Sequence, residues 1–489
     1  MIELKFSEVP TEFSNRDFEC DKHGKPYCRI VNVITALLNP KYAQKDGILQ
    51  GTFFYDSFAQ QIKIQGRVAG EYSISPDQIR QIDDNIINKL GVEIERQYGV
   101  KFNKKDTIEA LRFVAGLNAI NPAQEYIKSL VWDKDEQAIR KLLPTYLGAD
   151  DTELNAWIME HMLVGMVKRI FEPGCKFDEM MVLFGDQGLG KSTFTRYLSL
   201  NDEWFCSLES IQGKDAIMNI RGKAVVEIEE FVALRSVNSA DKAKSFISKL
   251  SDRIRPPYDQ FSRDIPRTSI MIGTLNELTF LNDHTGERRY LPVECSIKKR
   301  KKSVYPKEEY LNGMTMKAYE KEVKKDFEMA VAYAYKLYRE EKHSFIIPDK
   351  FLESLDEIRD ECKYLNPDVE NVRYFLEAYK PKTHNPTVTC WKEICEQGYG
   401  IKSKAFSEII ANYFPEWEKI SLKKTQIIYP NGEGIPVKCY YRKKETAEEN
   451  NERLLKDLPE EWKVDKGETK ACNEEGQYVQ MSLSGIEKL

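Results

Sequence analysis

Eight residues, Gly185-Asp186-Gln187-Gly188-Leu189-Gly190-Lys191-Ser192, combine a flexible backbone, one ammonium and one hydroxyl at the spacing of a phosphate-binding loop. Glycines let the chain curl until successive N–H groups face inward, where they suit a nucleotide's phosphates. The helix expected to begin at Thr193 adds its positive end. In that arrangement Lys191 reaches the β- and γ-phosphates of ATP, and Ser192 offers its hydroxyl to Mg²⁺. Met181 to Phe184 is a short apolar run with the pattern of a buried parallel strand, so strand, loop and helix follow in the order of a P-loop. A glycine turn of no chemical meaning is the lesser reading.

Carboxylates come next. Ala224 to Ile228 is a second apolar strand that delivers Glu227, Glu229 and Glu230 at or near its C-terminal end, where parallel sheets bind nucleotides. This is a Walker B pattern, in which one carboxylate holds the Mg²⁺ shell and another orients or deprotonates the attacking water. Glu227 and Glu230 are the metal candidates, and which two of the three glutamates act stays open. A third apolar strand, beginning at Ser269, ends in Asn276, where ring-forming ATPases carry a residue that senses the γ-phosphate. The polar loop from Asp283 holds Arg288 and Arg289 just before the strand Tyr290 to Val293, and the pair reads as finger arginines reaching a neighbour's γ-phosphate. Arg253, Arg255, Arg263 and Arg267 suit either nucleic acid or an adjoining subunit. Lys298 to Lys302 reads as a solvated basic run, and Met316 to Tyr338 as an amphipathic helix suited to a lid or subunit contact.

The elements that position these groups fall into about three domains in a chain of 489 residues. A hydrophobic content of 41% is enough for real cores, and a net charge of −5 announces no global affinity for nucleic acid. Residues 1–149 are expected to be α-rich: a helix at Arg29 to Leu38, short strands near Gly51 to Tyr55 and Gln61 to Gln65, a helix capped by Ser75-Pro76 and running to Tyr98, and two more from Lys104 and Asn121. Residues 150–346 form the ATPase, entered by a helix from Glu153 to Phe171. Residues 347–444 read as a winged helix: helices at Val369 to Tyr379, Thr389 to Gln397 and Ser403 to Phe414, then β runs at Gln426 to Tyr429 and Val437 to Arg442. Residues 382–444 hold 11 basic against 6 acidic residues, which favours DNA contact through Lys402, Lys404, Lys438, Arg442, Lys443 and Lys444. A winged helix serving only protein contacts is the alternative. Residues 445–489, with 12 acidic and 6 basic residues, read as a flexible acidic tail. The ten cysteines are scattered without a C-x-x-C pair and read as free buried thiols, and no leader or membrane span is apparent, so a cytoplasmic protein is expected.

Taken together, Gly185 to Ser192, Glu227-x-x-Glu230, Arg255-Pro-Pro-Tyr258, Thr274-x-Asn276 and Thr285-Gly-x-Arg288-Arg289-Tyr290 resemble the virulence-associated protein E family of phages, prophages and mobile islands. Asn121-Pro122, Tyr126-Ile-x-x-Leu130 and Trp132-Asp133 resemble that family's lead-in. Glu229 departs from it, since members usually carry a small or apolar residue there. The resemblance implies an α/β core similar to AAA+ and superfamily 3 helicases, a hexameric ring in the host bacterial cytoplasm, ATP and Mg²⁺ as cofactors, single-stranded or forked DNA as partner, and a separate primase, since members are often encoded beside one. The expectation is an ATP-driven DNA helicase or translocase. A nucleotide-gated DNA-binding initiator or regulator, or an anti-phage effector that does not unwind, is the second reading. A small-molecule kinase is the third, and it leaves Arg288, Arg289 and the winged helix without a task.

Overall fold

The computed structural model describes residues 6, 10–43, 49–68, 71, 73–75, 77–99, 101–229, 237–255, 262–276, 287–311, 313–362, 367–378, 388–390, 400–414, 416–420, 440–443, 471–472 and 478–479. They fall into two compact units, Met1–Tyr364 and Leu365–Leu489.

After a short helical turn at Thr11–Ser14, the first unit has α1 (Ile30–Leu38), the hairpin β1 (Leu49–Asp56) and β2 (Gln61–Val68), β3 (Ile79–Gln81), α2 (Asp84–Tyr98), α3 (Lys104–Leu117), β4 (Ala119–Ile120) and α4 (Pro122–Ser129). Its strands form a sheet in the order β3-β2-β1-β4, so this region is α+β and not merely α-rich. The helix expected to start at Ser75 starts instead at Asp84, with the Asp83 carboxylate accepting the Ile86 N–H. Residues 79–81 are drawn into the sheet opposite Lys63 to Gln65, and pairing on a buried sheet outweighs local helix preference. The core here joins Val33, Leu37, Phe53, Ile64, Leu90, Leu111 and Val114.

α5 (Glu153–Phe171) follows, capped by the Thr152 hydroxyl, which accepts the Asn155 N–H. It is buried almost all round, as its apolar composition requires. Beside it lies a five-stranded parallel sheet of β5 (Met180–Gly185), β6 (Phe205–Leu208), β7 (Val225–Ile228), β10 (Ile270–Thr274) and β11 (Tyr290–Cys295), in the order β11-β5-β10-β7-β6. Side chains alternate across it. Met181, Leu183, Ile272, Leu291 and Val293 enter one core with α5 and α8 (Met316–Arg339). Met180, Val182, Phe184, Val226, Ile228 and Met271 enter another with Phe246 and Ile247 of α7 (Val237–Ser248). Burial on both faces explains why these strands read as unbroken apolar runs. α8 is a core helix, with Tyr319, Val323, Phe327, Ala330 and Val331 buried.

A separate hairpin, β8 (Ser251–Ile254) with β9 (Arg263–Pro266), leads into β10. Arg267, expected at a nucleic-acid or subunit surface, is only 3% exposed. Its Nε donates to Asp252 at 2.6 Å, another guanidinium nitrogen donates to the Phe246 carbonyl, and the cation lies over the Phe246 ring. A buried cation needs such pairing, and Asp252 on β8 supplies it. α9 (Leu352–Glu361), expected in the third region, belongs to the first unit, with Leu355 and Cys362 in its cores. Cys295 and Cys362 are buried as expected, whereas Cys20 and Cys28 are exposed.

The second unit contains α10 (Pro367–Ala378), β12 (Val388–Cys390), α11 (Ser403–Tyr413), β13 (Trp417–Ile420) and β14 (Tyr440–Lys443), with an antiparallel sheet in the order β12-β14-β13. Its core is Val369, Val372, Phe375, Phe406, Ile409, Ile410 and Phe414. Thr389 and Cys390, expected to open a helix, pair with β14 as strand. The strand partner on β14's other edge is Trp417–Ile420, while the expected run 426–429 lies outside the described residues.

Candidate nucleotide site

β5 is where the sheet reverses direction. From β5 the chain runs to the far edge at β6, works back through β7 and β10 to lie beside β5, then crosses to β11 on its other side. In an open parallel sheet the crevice at the C-terminal ends of such strands is the ligand site. Gly185 to Gly190 occupies it, leading into α6 (Lys191–Leu198).

The glycines are required by the shape of the loop. Gly185 (φ 125°) and Gly190 (φ 99°) have backbone angles that other residues rarely adopt. A Cβ at Gly185 would strike the Cys295 carbonyl, and one at Gly190 the Val304 side chain. Leu189 anchors the loop in the core, and its carbonyl accepts from the buried Arg300 at 3.1 Å. Arg300 therefore supports the loop from behind, the buried exception in a run whose Lys298, Lys299 and Lys301 are exposed as expected, and Lys302 pairs with Glu322 at 2.7 Å. Asp186 is exposed, with its carboxylate accepting the Ile297 N–H, and Gln187 and Gly188 are exposed at the tip.

Lys191 is 7% exposed, and burial lowers its pKa. Its ammonium donates to the Gly185 carbonyl at 2.9 Å, the Asp186 carbonyl at 2.9 Å and Asn276 Oδ1 at 3.0 Å. The loop lysine and the asparagine after β10 thus meet, although they are far apart in the chain. Ser192 is exposed and Thr193 half-buried at the start of α6.

Glu227 lies on β7 opposite Ile272 of β10 and is 1% exposed. Burial raises its pKa, partly offset by the hydroxyls of Ser192, Thr274 and Thr195. Thr274 donates to Oε1 at 2.7 Å, and Oε2 is buried with no hydrogen-bond partner. Thr274 was not singled out for this role in the sequence; its pairing depends on β10 lying beside β7. Glu229 is different. It is exposed, and its Oε1 accepts from Ser207 of β6 at 2.6 Å, on the side of β7 away from β5. Glu230 lies outside the described residues.

Residues 127–363 match the profile of the virulence-associated protein E-like domain. The chain carries a virulence-associated protein E-like domain. Among solved structures it is similar to an A-form apo structure of the NrS-1 C-terminal region, with 14% identity over 83% of this chain and 98% of that one, at a TM-score of 0.41. Two further apo structures of the same region match with 15% identity and the same coverage and score. No curated protein matches the chain.

Within the virulence-associated protein E-like domain, Arg288 and Arg289 are far from the loop they share a sheet with. They immediately precede β11, whose Tyr290 pairs with Met180 at the start of β5, whereas Cys295 pairs with Gly185 at its end. Five strand steps separate the two ends, about 17 Å. Arg289 is held in place, donating to the Ser248 hydroxyl at 3.0 Å and lying 3.8 Å from Asp178. The Arg288 side chain is exposed. In the second unit Lys402 and Lys404 are exposed at the start of α11, Arg442 and Lys443 fall on β14, and Lys438 and Lys444 lie outside the described residues. The acidic tail, apart from 471–472 and 478–479, lies outside them too. Among the described residues no helix is long and apolar enough to cross a membrane.

Proposed function

We propose that this protein is an ATPase that acts on DNA as a homo-oligomeric ring, in the manner of a phage or mobile-element helicase or translocase. The observation that carries the reading is that Lys191, Ser192, Glu227, Thr274 and Asn276 converge at the C-terminal ends of three adjacent strands, while Arg288 lies at the opposite end of the same sheet. One subunit holds the triphosphate, and its own arginine is beyond reach of it. A neighbour's arginine completes the site when subunits are arranged around a ring.

The residues present fit Mg²⁺. Glu227 keeps one buried carboxylate oxygen without a partner, the Ser192 hydroxyl lies near the same carboxyl group, and hard cations take oxygen ligands of this kind. Ser192 and Glu227 would hold the ion, which when bound neutralises charge on the phosphates. Lys191 exchanges its carbonyl contacts for the β- and γ-phosphates. Asn276, already in contact with Lys191, orients water in line with the terminal phosphorus. A glutamate at the end of β7 takes the proton of that water as its oxygen bonds to phosphorus and the bond to the bridging oxygen breaks. Glu229 turns toward Ser207, which favours Glu230 for that task.

The second unit supports the DNA partner. A helix, a strand, a second described helix and two strands, in the sheet order β12-β14-β13, suit the winged-helix reading, and Lys402 and Lys404 are exposed at the start of α11. Hydrolysis in mixed oligomers tests the shared site. Lys191→Ala and Arg288→Ala should each be inactive alone, and mixing them should restore part of the DNA-stimulated ATPase and of strand displacement on a fork. Verified mixed oligomers without recovery would overturn the ring reading. Recovery of ATPase without strand displacement would leave a nucleotide-gated DNA-binding protein.

A further inference from the structure

We infer that Arg359 is a positioning residue that sets Arg288 for delivery to the neighbouring subunit, and that Arg288, not Arg289, is the arginine delivered. This rests on the shared-site reading above. Arg359 lies on α9 beside β11, and its side chain is 3% exposed. Its Nε donates to the Tyr290 carbonyl at 3.0 Å and its Nη2 to the Arg288 carbonyl at 3.1 Å, with Nη1 on Asp356 at 3.0 Å. One planar guanidinium thus grips the backbone on both sides of Arg289, and its fork geometry fixes their spacing as a lysine would not.

The three arginines divide the work. Tyr290 begins a strand paired with β5, so the grip ties the segment 288–290 to the sheet that carries the phosphate loop. Arg289 is turned inward onto Ser248 and Asp178. That leaves the Arg288 side chain projecting to solvent from a backbone held at its own carbonyl. A transition-state arginine is effective in proportion to how little it must reorganise, and displacement of an ångström costs ~10²-fold in rate. Sequence spacing offers no hint of this, because Arg359 is far along the chain and precedes no motif.

Arg359→Lys and Arg359→Met, made in the full chain, test the assignment. Both should bind a fluorescent ATP analogue as tightly as wild type, since Arg359 is remote from its own phosphate loop, yet hydrolyse ATP ~10²-fold more slowly. Mixed with Lys191→Ala, whose arginines are intact, either variant should regain activity; mixed with Arg288→Ala it should not, because neither subunit then delivers an arginine. Wild-type hydrolysis, loss of nucleotide binding in both variants, or recovery on mixing with Arg288→Ala would each overturn the role of Arg359. Lys191→Ala mixed with Arg288→Ala is the control: recovery there with normal Arg359 variants keeps the shared site and removes only Arg359. Failure of that control removes both.

Discussion

Replacing Glu227 by glutamine should make the protein more stable and less active at once. In the wild type Oε1 accepts from Thr274 while Oε2 is buried without a partner. An unpartnered buried group costs about 1–3 kcal/mol when neutral and more when charged. Glutamine keeps an acceptor for Thr274 and removes the charge, so Glu227→Gln should gain about 1 kcal/mol without Mg²⁺, or about 1–2 °C in Tm for a unit of this size. The gain should depend on pH. Because burial raises the Glu227 pKa, the native wild type keeps its proton to a higher pH than the unfolded chain does. Its contribution is therefore present at low pH and lost as pH rises from the ordinary glutamate value through the raised native one. The stability gap between Glu227→Gln and wild type should open over that window and then level off. Mg²⁺ with ATP should stabilise the wild type and do little for the variant, whose hydrolysis should fall ~10²-fold or more. Thermal melts across pH, with and without Mg²⁺-ATP, together with a phosphate-release assay, measure all of this. A variant less stable than wild type at neutral pH, or one with normal Mg²⁺-dependent hydrolysis, would refute the assignment of Glu227.

Arg267→Ala should destabilise the first unit by up to about 3 kcal/mol, because the buried Asp252 would keep only the half-exposed Lys249, 3.5 Å away, as a charged partner, and Arg267→Ala/Asp252→Asn should recover part of that loss in denaturant titrations. Deleting residues 382–489 should weaken DNA binding more than basal ATPase, and the full chain's affinity should fall steeply with salt as phosphate contacts release counterions. Fluorescence anisotropy over a salt series measures it, and unchanged affinity after deletion would assign the second unit to protein contacts.

Local chemistry made the glycine-rich loop legible. Gly185 and Gly190 are required by backbone curvature within one short stretch that also carries Lys191 and Ser192, so spacing alone singled the loop out, and the buried strands β5, β7 and β10 announced themselves as apolar runs because both faces of the sheet are covered. Groups brought together over long separations were a different matter. Lys191 and Asn276 were singled out by motif, but their contact, the Thr274 bond that holds Glu227, the turn of Glu229 toward Ser207 and the seat of Arg300 behind Leu189 depend on strand order and register. The same holds where expectation failed. Ser75 carries a helix-start signal that sheet pairing of 79–81 overrides, and Arg267 has an exposed residue's composition but a partner, Asp252, that only the β8–β9 hairpin supplies. Residue type and spacing singled out the loop and the groups proposed to meet phosphate. Tertiary structure decided which carboxylate faces the hydroxyl of Ser192 and which arginine is left facing out, because pairing and burial are set by what lies across the sheet and not by what adjoins in the chain.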